Sequence, residues 1–205
     1  MCLERDDWTM WPWGHAAVAY LCYLVFVRAT DRLRETPAAL AAVLVGSQFP
    51  DLVDKPLAWS FAVLPSGRSL THSLITAALV LSVLYWLAGG PERRNAVAAF
   101  GLGWITHSLS DLGADTVVGL LLGDTSQLRW TTYLVWPLLP PPPYESDDSL
   151  IAHLQAFELS GSVRLQIGLF GLAVVFWVVK SALGAYAART WLERIVRIGG
   201  RRRSR

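Results

Sequence analysis

Three histidines and three aspartates, lying between positions 15 and 111, fall where apolar stretches of the chain begin or end. They are His15, Asp51, Asp54, His72, His107 and Asp111. Imidazole and carboxylate groups are the usual protein ligands of zinc and its neighbouring metals. Polar groups at the edge of an apolar segment are costly unless they are paired or bound to a metal. The pattern therefore predicts that the chain gathers these residues around a divalent ion.

The most direct part of this pattern is the pair His107 and Asp111. A spacing of four residues places both side chains on one face of a helix, within reach of a common ion. His72 precedes the turn at residues 88–95 by about as many residues as Asp111 follows it, so antiparallel packing brings all three together. The alternative is a His–Asp hydrogen bond that only joins two helices.

The other residues have ordinary explanations when each is taken alone. His15 and His72 lie at the start of apolar runs, where a histidine can simply form hydrogen bonds at an interface. Asp51 and Asp54 follow Pro50, which we expect to break the second helix and leave both aspartates in a turn. Their convergence on one face of a membrane favours a shared metal site over these separate explanations.

The donor set indicates which metal and which chemistry to expect. Three histidines with two or three aspartates and no cysteine suit zinc, or a mononuclear or dinuclear manganese or iron site. Asp54 or Asp115 is a candidate general base or a partner for an imidazole N–H. Arg68, four residues before His72, is a candidate clamp for a substrate phosphate or carboxylate, or else a snorkelling interfacial arginine. The predicted metal ligands are His15, Asp51, His72, His107 and Asp111.

Composition and hydropathy predict the membrane elements that position these residues. The chain has 205 residues, of which 53% are apolar and 17% are charged, below the roughly 25% of soluble domains. Five runs lack charged side chains: residues 9–27, 37–50, 69–91, 95–110 and 165–179. We therefore predict an all-α fold: one domain over residues 1–205, a polytopic membrane helix bundle of about five transmembrane helices. A long external loop, residues 114–163, would join helices four and five.

The distribution of charge predicts the orientation of this bundle. Of the 18 Lys and Arg residues, 13 fall on one predicted side of the membrane and five on the other. The 16 acidic residues divide the opposite way, with four on the first side and twelve on the second. The positive-inside rule then places the N-terminus outside, the C-terminus in the cytoplasm and the His/Asp residues on the external face of the cell membrane. The basic tail, residues 189–205, follows a membrane helix, so we expect it to contact anionic lipid rather than nucleic acid.

Four sequence blocks, in order, carry a resemblance to a known family. They are Gly14-His15, Pro50-Asp51-x-x-Asp54, Arg68-x-x-Thr71-His72-Ser73 and Gly103-x-x-x-His107-x-x-x-Asp111. With the later Leu134-Val135-Trp136-Pro137, they resemble the YdjM-like membrane-bound metal-dependent hydrolases over residues 11 to 140. The resemblance implies a metal-dependent hydrolase, and a looser likeness to zinc-dependent phospholipase C enzymes points to phosphoester or lipid headgroup hydrolysis.

The chain departs from that family's pattern at two positions. Members commonly have a histidine in the block that ends in Asp54-Lys55 in this chain. They also commonly have a histidine directly before the arginine that corresponds to Arg68, where this chain has Gly67. A dinuclear site would therefore lack one or two of its usual ligands.

Two other functions compete with hydrolysis. The first is non-catalytic binding or transport of a divalent metal; the almost wholly apolar stretches 74–83 and 169–179 argue against a transport path through the membrane. The second is a scaffold whose histidines only join helices, which predicts that no metal binds.

Overall fold

The computed structural model describes residues 10–142, 149, 151, 155 and 157–202, with side chains up to residue 184. The described residues contain helices and no strands, which confirms the predicted all-α class. The chain divides into two units, Met1–Phe170 and Gly171–Arg205. The side chains of the predicted basic tail lie outside the described part.

Seven α-helices and one 3-10 helix make up the described secondary structure. The α-helices are α1 (Pro12–Ala29), α2 (Pro37–Gly46), α3 (Phe49–Trp59), α4 (Leu74–Leu87), α5 (Pro91–Ser110), α6 (Ala114–Leu121) and α7 (Gly161–Arg202). The 3-10 helix, Thr125–Val135, follows α6. The predicted loop, residues 114–163, therefore contains α6 and the 3-10 helix in its described part.

Helices α2 and α5 pack backbone against backbone because each has a glycine at the crossing. A Cβ atom on Gly46 would lie 2.2 Å from the carbonyl oxygen of Phe100, and one on Gly103 would lie 2.2 Å from that of Val43. Small residues permit this close approach at helix interfaces in membranes. The crossing brings Ser47, directly after α2, against His107 of α5.

The expectation that Asp51 and Asp54 occupy a turn is wrong. Helix α2 ends at Gly46, and α3 begins again at Phe49 with Pro50 in its first turn. Proline is favoured there, because the N–H that it lacks has no partner within the helix at that position. Both aspartates therefore lie on α3.

The longest uncharged run, residues 69–91, is also not one helix. Its helical part, α4, has 14 residues and is about 21 Å long, shorter than the roughly 30 Å of a membrane core. The Ser73 hydroxyl caps α4 by accepting the N–H groups of Ile75 and Thr76. Residues 69–72 are thereby left as a turn segment that carries His72.

One described helix is long and apolar enough to cross a membrane by length and composition. It is the stretch Gly161–Gly184, with a mean hydropathy of 2.0. The shorter apolar helix α4 leaves large side chains exposed, among them Leu79, Val83 and Trp86. Five membrane spans are thus not confirmed by the described residues.

Candidate metal centre

Four of the predicted ligands meet in one buried cluster. Asp51 comes from α3, His72 from the segment before α4, and His107 and Asp111 from the C-terminal end of α5. One ligand atom from each lies within 4.8 Å of the others. The Nε2 atoms of His72 and His107 are 3.2 Å apart. Asp51 Oδ1 lies 3.4 and 3.6 Å from these two nitrogens, and Asp111 Oδ2 lies 3.4 and 3.8 Å from them.

These separations fit a four-coordinate divalent metal. In a tetrahedral complex, neighbouring ligand atoms are separated by about 1.6 times the metal–ligand bond, so zinc bonds of 2.0–2.2 Å to nitrogen and oxygen imply roughly 3.3–3.6 Å. The five separations that involve a histidine nitrogen, 3.2 to 3.8 Å, cover this range, and all four ligand atoms lie within 4.8 Å of one another. The four residues could therefore hold an ion.

The hydrogen bonds of His72 and His107 direct their Nε2 atoms into the cluster. His72 Nδ1 is 2.8 Å from Asp54 Oδ2, and His107 Nδ1 is 2.6 Å from the carbonyl oxygen of Ser47. Because a carboxylate and a carbonyl only accept, each Nδ1 carries the proton. Each Nε2 then keeps its lone pair for an ion, which is the usual arrangement of metal-binding histidines.

His15 presents a third imidazole at the edge of this group. The Ser110 hydroxyl donates to the carbonyl oxygen of His107 at 2.8 Å, so it accepts from His15 Nδ1 at 3.1 Å. His15 Nε2 then faces Asp111 Oδ1 at 3.4 Å, and its ring stacks on His107 with centroids 3.7 Å apart. His15 therefore adjoins the four-residue group through Asp111.

Three buried atoms of this cluster lack a hydrogen-bond partner among the described residues. They are His15 Nε2, Asp51 Oδ1 and Asp111 Oδ1. Buried polar atoms are almost always paired, because leaving one unpaired costs about 1–3 kcal/mol. Asp51 Oδ1 faces the Nε2 atoms of His72 and His107, where an ion would bind it, whereas Asp111 Oδ1 and His15 Nε2 face each other at 3.4 Å.

Asp54 organises the segment that carries His72. Its carboxylate accepts the backbone N–H groups of Ser69 and Thr71, both at 2.9 Å, the Thr71 hydroxyl at 2.7 Å, and His72 Nδ1. Burial raises the pKa of Asp54, but the hydrogen bonds from His72 and Thr71 outweigh it and lower the pKa below its usual value. The side chain is fully buried, so its contacts favour the partner role over that of a general base.

Two cations neutralise the carboxylates on the less buried side of the cluster. Arg68 Nε donates to Asp111 Oδ2 at 3.0 Å, and Lys55 Nζ donates to Asp51 Oδ2 at 2.7 Å. Burial raises the pKa of both carboxyls, but Lys55 beside Asp51 and Arg68 beside Asp111, with the nearby histidines, hold both well below the usual range. Lys55, Arg68 and Asp51 are 13–19% exposed, whereas His72 and Asp111 are at most 2% exposed.

The remaining predicted residue, Asp115, lies apart from this group. It is exposed on the first turn of α6 and forms no hydrogen bond or ion pair with the cluster in the described part of the chain.

Three supporting residues did not emerge from the sequence. Lys55 lies four residues after Asp51, and Ser110 lies three after His107, so helical spacing could have suggested both. Ser47 acts through its backbone carbonyl, which leaves no signal in the side-chain pattern.

The helical fold and the buried His/Asp cluster define an α-helical protein with a candidate metal centre. The family model of the YdjM inner membrane protein matches residues 10–191, and the chain belongs to this family. The family assignment that the motifs suggested is thereby confirmed, and it supports a membrane location. No curated protein and no solved structure matches the chain.

Proposed function

We propose that this protein is a membrane-bound metal-dependent hydrolase that uses a divalent ion, zinc in the first instance with manganese or iron as alternatives. The observation that carries the proposal is the orientation of the donors. His72 and His107 direct Nε2 into a space shared with oxygens of Asp51 and Asp111. The chemistry that a divalent ion supplies in such a site is activation of water at neutral pH.

The protein's own part in this chemistry is to hold the donors and to leave one side approachable. Asp54 fixes the tautomer and the orientation of His72, and the Ser47 carbonyl does the same for His107. The histidines are buried, whereas Asp51, Lys55 and Arg68 retain partial exposure. A substrate would approach from the side of these three residues.

The charges on that side favour a substrate that carries phosphate. Lys55 and Arg68 offset the charges of Asp51 and Asp111, so a bound divalent ion together with the Asp54 carboxylate would leave a net charge of about +1 at the site. Arg68 can use its planar guanidinium to bind phosphate oxygens. A phosphoester or lipid-like substrate at the membrane face is therefore the class that we propose.

We further propose five membrane spans with the cluster on the external face. Helix α5 supports opposite positions for the cluster and the basic turn, because 13 residues, or about 20 Å, separate Arg94 from His107. The test is cysteine labelling in intact cells, with Cys2 and Cys22 replaced by serine. Lys55→Cys should react with an impermeant reagent from outside, and Arg93→Cys should react only after permeabilisation. The reverse result would invert the orientation.

Metal content and turnover test the hydrolase proposal. The purified chain in detergent should contain about one divalent ion per molecule and cleave a member of a phosphodiester panel, with loss of activity on adding chelator. His107→Ala should abolish both properties. Glu92→Gln, an exposed change in the first turn of α5, is the matched control and should preserve both. Absence of chelator-sensitive turnover across the panel would count against hydrolysis.

A second candidate function is non-catalytic binding of the ion. It is favoured by the presence of four protein donors within 4.8 Å of one another, because structural zinc sites are closed by four protein ligands whereas catalytic sites keep an open position. Stoichiometric metal without turnover would favour this function, and metal flux into proteoliposomes would favour transport. The scaffold alternative would be supported if the protein contained almost no bound metal when purified from cells grown with ample metal.

A further inference from the structure

A cavity lined in part by charged side chains lies at the opposite end of α5 from the His/Asp cluster. It has a volume of about 400 Å³ and lies between the segment after α1 and the α4–α5 turn. Cavities that bind small molecules commonly measure about 300–1,000 Å³. The side chains that give this cavity its character are Asp31, Arg32, Arg34, Tyr85, Arg94 and Asn95.

Positive charge dominates the lining. Three arginines and one aspartate give a formal charge of +3 − 1 = +2. No ion pair involves the guanidinium of Arg32 or Arg34 within the described part of the chain. Arginines that serve only to orient a membrane protein need not share a cavity, whereas here two distant segments bring three of them to the same one.

The cavity is held in shape by contacts between these two segments. Asn95 accepts the backbone N–H of Arg34 at 2.7 Å and donates its amide to the Arg34 carbonyl at 2.9 Å. Arg94 Nε donates to the Ala88 carbonyl at 3.3 Å, and its guanidinium lies 5.4 Å from the ring of Tyr85. These contacts fix the backbone of Arg34 and the guanidinium of Arg94 before any ligand arrives, which lowers the entropic cost of binding at these two residues.

We infer that this cavity binds a phosphate-bearing anion. Guanidinium groups match the geometry of phosphate oxygens, and several of them in one cavity bind through charge-assisted hydrogen bonds. The N-terminus of α5, at Gly90 and Pro91, adds the positive end of a helix dipole to the same wall. A lipid headgroup and a soluble phosphorylated compound are the two sources of this chemistry. The site is separate from the metal cluster and does not depend on it.

Binding to the full chain in detergent tests this inference. The probes are glycerol phosphate, short-chain phosphatidic acid and short-chain phosphatidylcholine, with affinity measured by calorimetry. We expect saturable binding of at least one of the first two and weaker binding of phosphatidylcholine. Binding of glycerol phosphate would identify a soluble ligand, whereas binding of phosphatidic acid alone would identify a lipid headgroup.

Variants at the arginines separate a built site from general basic charge. The double variant R32Q/R34Q should weaken binding roughly tenfold or more per arginine, since a hydrogen bond to a charged group contributes about 1.5–3 kcal/mol. The variant R32K/R34K, which keeps the charge but loses the planar fork, should bind with intermediate affinity and serves if the first variant does not fold. Arg93→Gln is the matched control, because Arg93 is next to Arg94 on α5 but does not line the cavity.

Three results would overturn the inference. The first is the absence of saturable binding of every probe. The second is unchanged affinity in both double variants. The third is an equal loss of affinity in Arg93→Gln, which would show that only the general basic charge of this surface attracts anions.

Discussion

Replacement of Asp54 by asparagine tests the positioning of His72 most directly. One carboxylate oxygen accepts from Ser69 N and His72 Nδ1, and the other accepts from Thr71 N and Thr71 Oγ1. An asparagine amide must turn its NH2 group towards one of these pairs. The Thr71 side costs less, because Thr71 Oγ1 also reaches the Pro50 carbonyl and Thr71 N also reaches the other carboxylate oxygen, both at 3.1 Å. Loss of the better acceptor on that side gives a decrease of about 1–3 kcal/mol in the free energy of unfolding.

The same substitution should also weaken metal binding. Loss of the carboxylate that orients a metal-binding histidine typically lowers affinity by about 10–100-fold. Denaturant unfolding in detergent measures the first effect on the metal-free protein, and competition with a chelator of known affinity measures the second. Glu92→Gln, an exposed change from acid to amide, is the control. If Asp54→Asn changes stability by less than 1 kcal/mol and metal affinity by less than about twofold, the positioning role is refuted.

Three further predictions follow from the same geometry. Gly103→Ala should cost at least about 1–3 kcal/mol and weaken metal binding, since its Cβ would meet the Val43 carbonyl, whereas Gly168→Ala, with open space around it, should cost nothing in a denaturation assay. His15→Ala should retain about one ion per chain by elemental analysis; a loss as complete as in His107→Ala would make His15 an essential ligand. The metal-free protein should lose stability in acid, because the pKa of Asp54 is lower in the folded protein than in the unfolded chain. The stabilisation from the Asp54 carboxylate is complete above the unfolded pKa of about 3.9 and disappears as the pH falls through the folded pKa. Asp54→Asn should flatten that pH profile.

The sequence indicated which His and Asp residues come together better than it indicated where the helices begin and end. The pair His107 and Asp111 could be placed on one face because helical spacing alone determines it, and both lie in the cluster. The length of α4 could not be read from the uncharged run 69–91, because an apolar composition does not reveal where Ser73 caps the helix. The role of Pro50 was misjudged because proline both ends helices and begins them.

The supporting contacts were harder still to anticipate. The carbonyl of Ser47 reaches His107 only because Gly46 and Gly103 let two helices touch, and a tertiary contact of this kind is not encoded in local spacing. Lys55 illustrates the opposite case. The resemblance led us to expect a histidine in the block that ends in Asp54-Lys55, and this chain instead has a cation there that binds Asp51.

The order in which the donors occur along the chain has a consequence for biogenesis. Asp51, His72, His107 and Asp111 are separated by up to 60 residues and enter the cluster from three different elements. During synthesis, no complete set of donors exists until α5 has emerged and packed against its neighbours. Capture of an ion would therefore be a late event that marks a correctly assembled chain. In a protein starved of metal during growth, Asp51 Oδ1 and Asp111 Oδ1 would stay buried without a hydrogen-bond partner among the described residues, which lowers the stability of the assembled chain and favours its degradation.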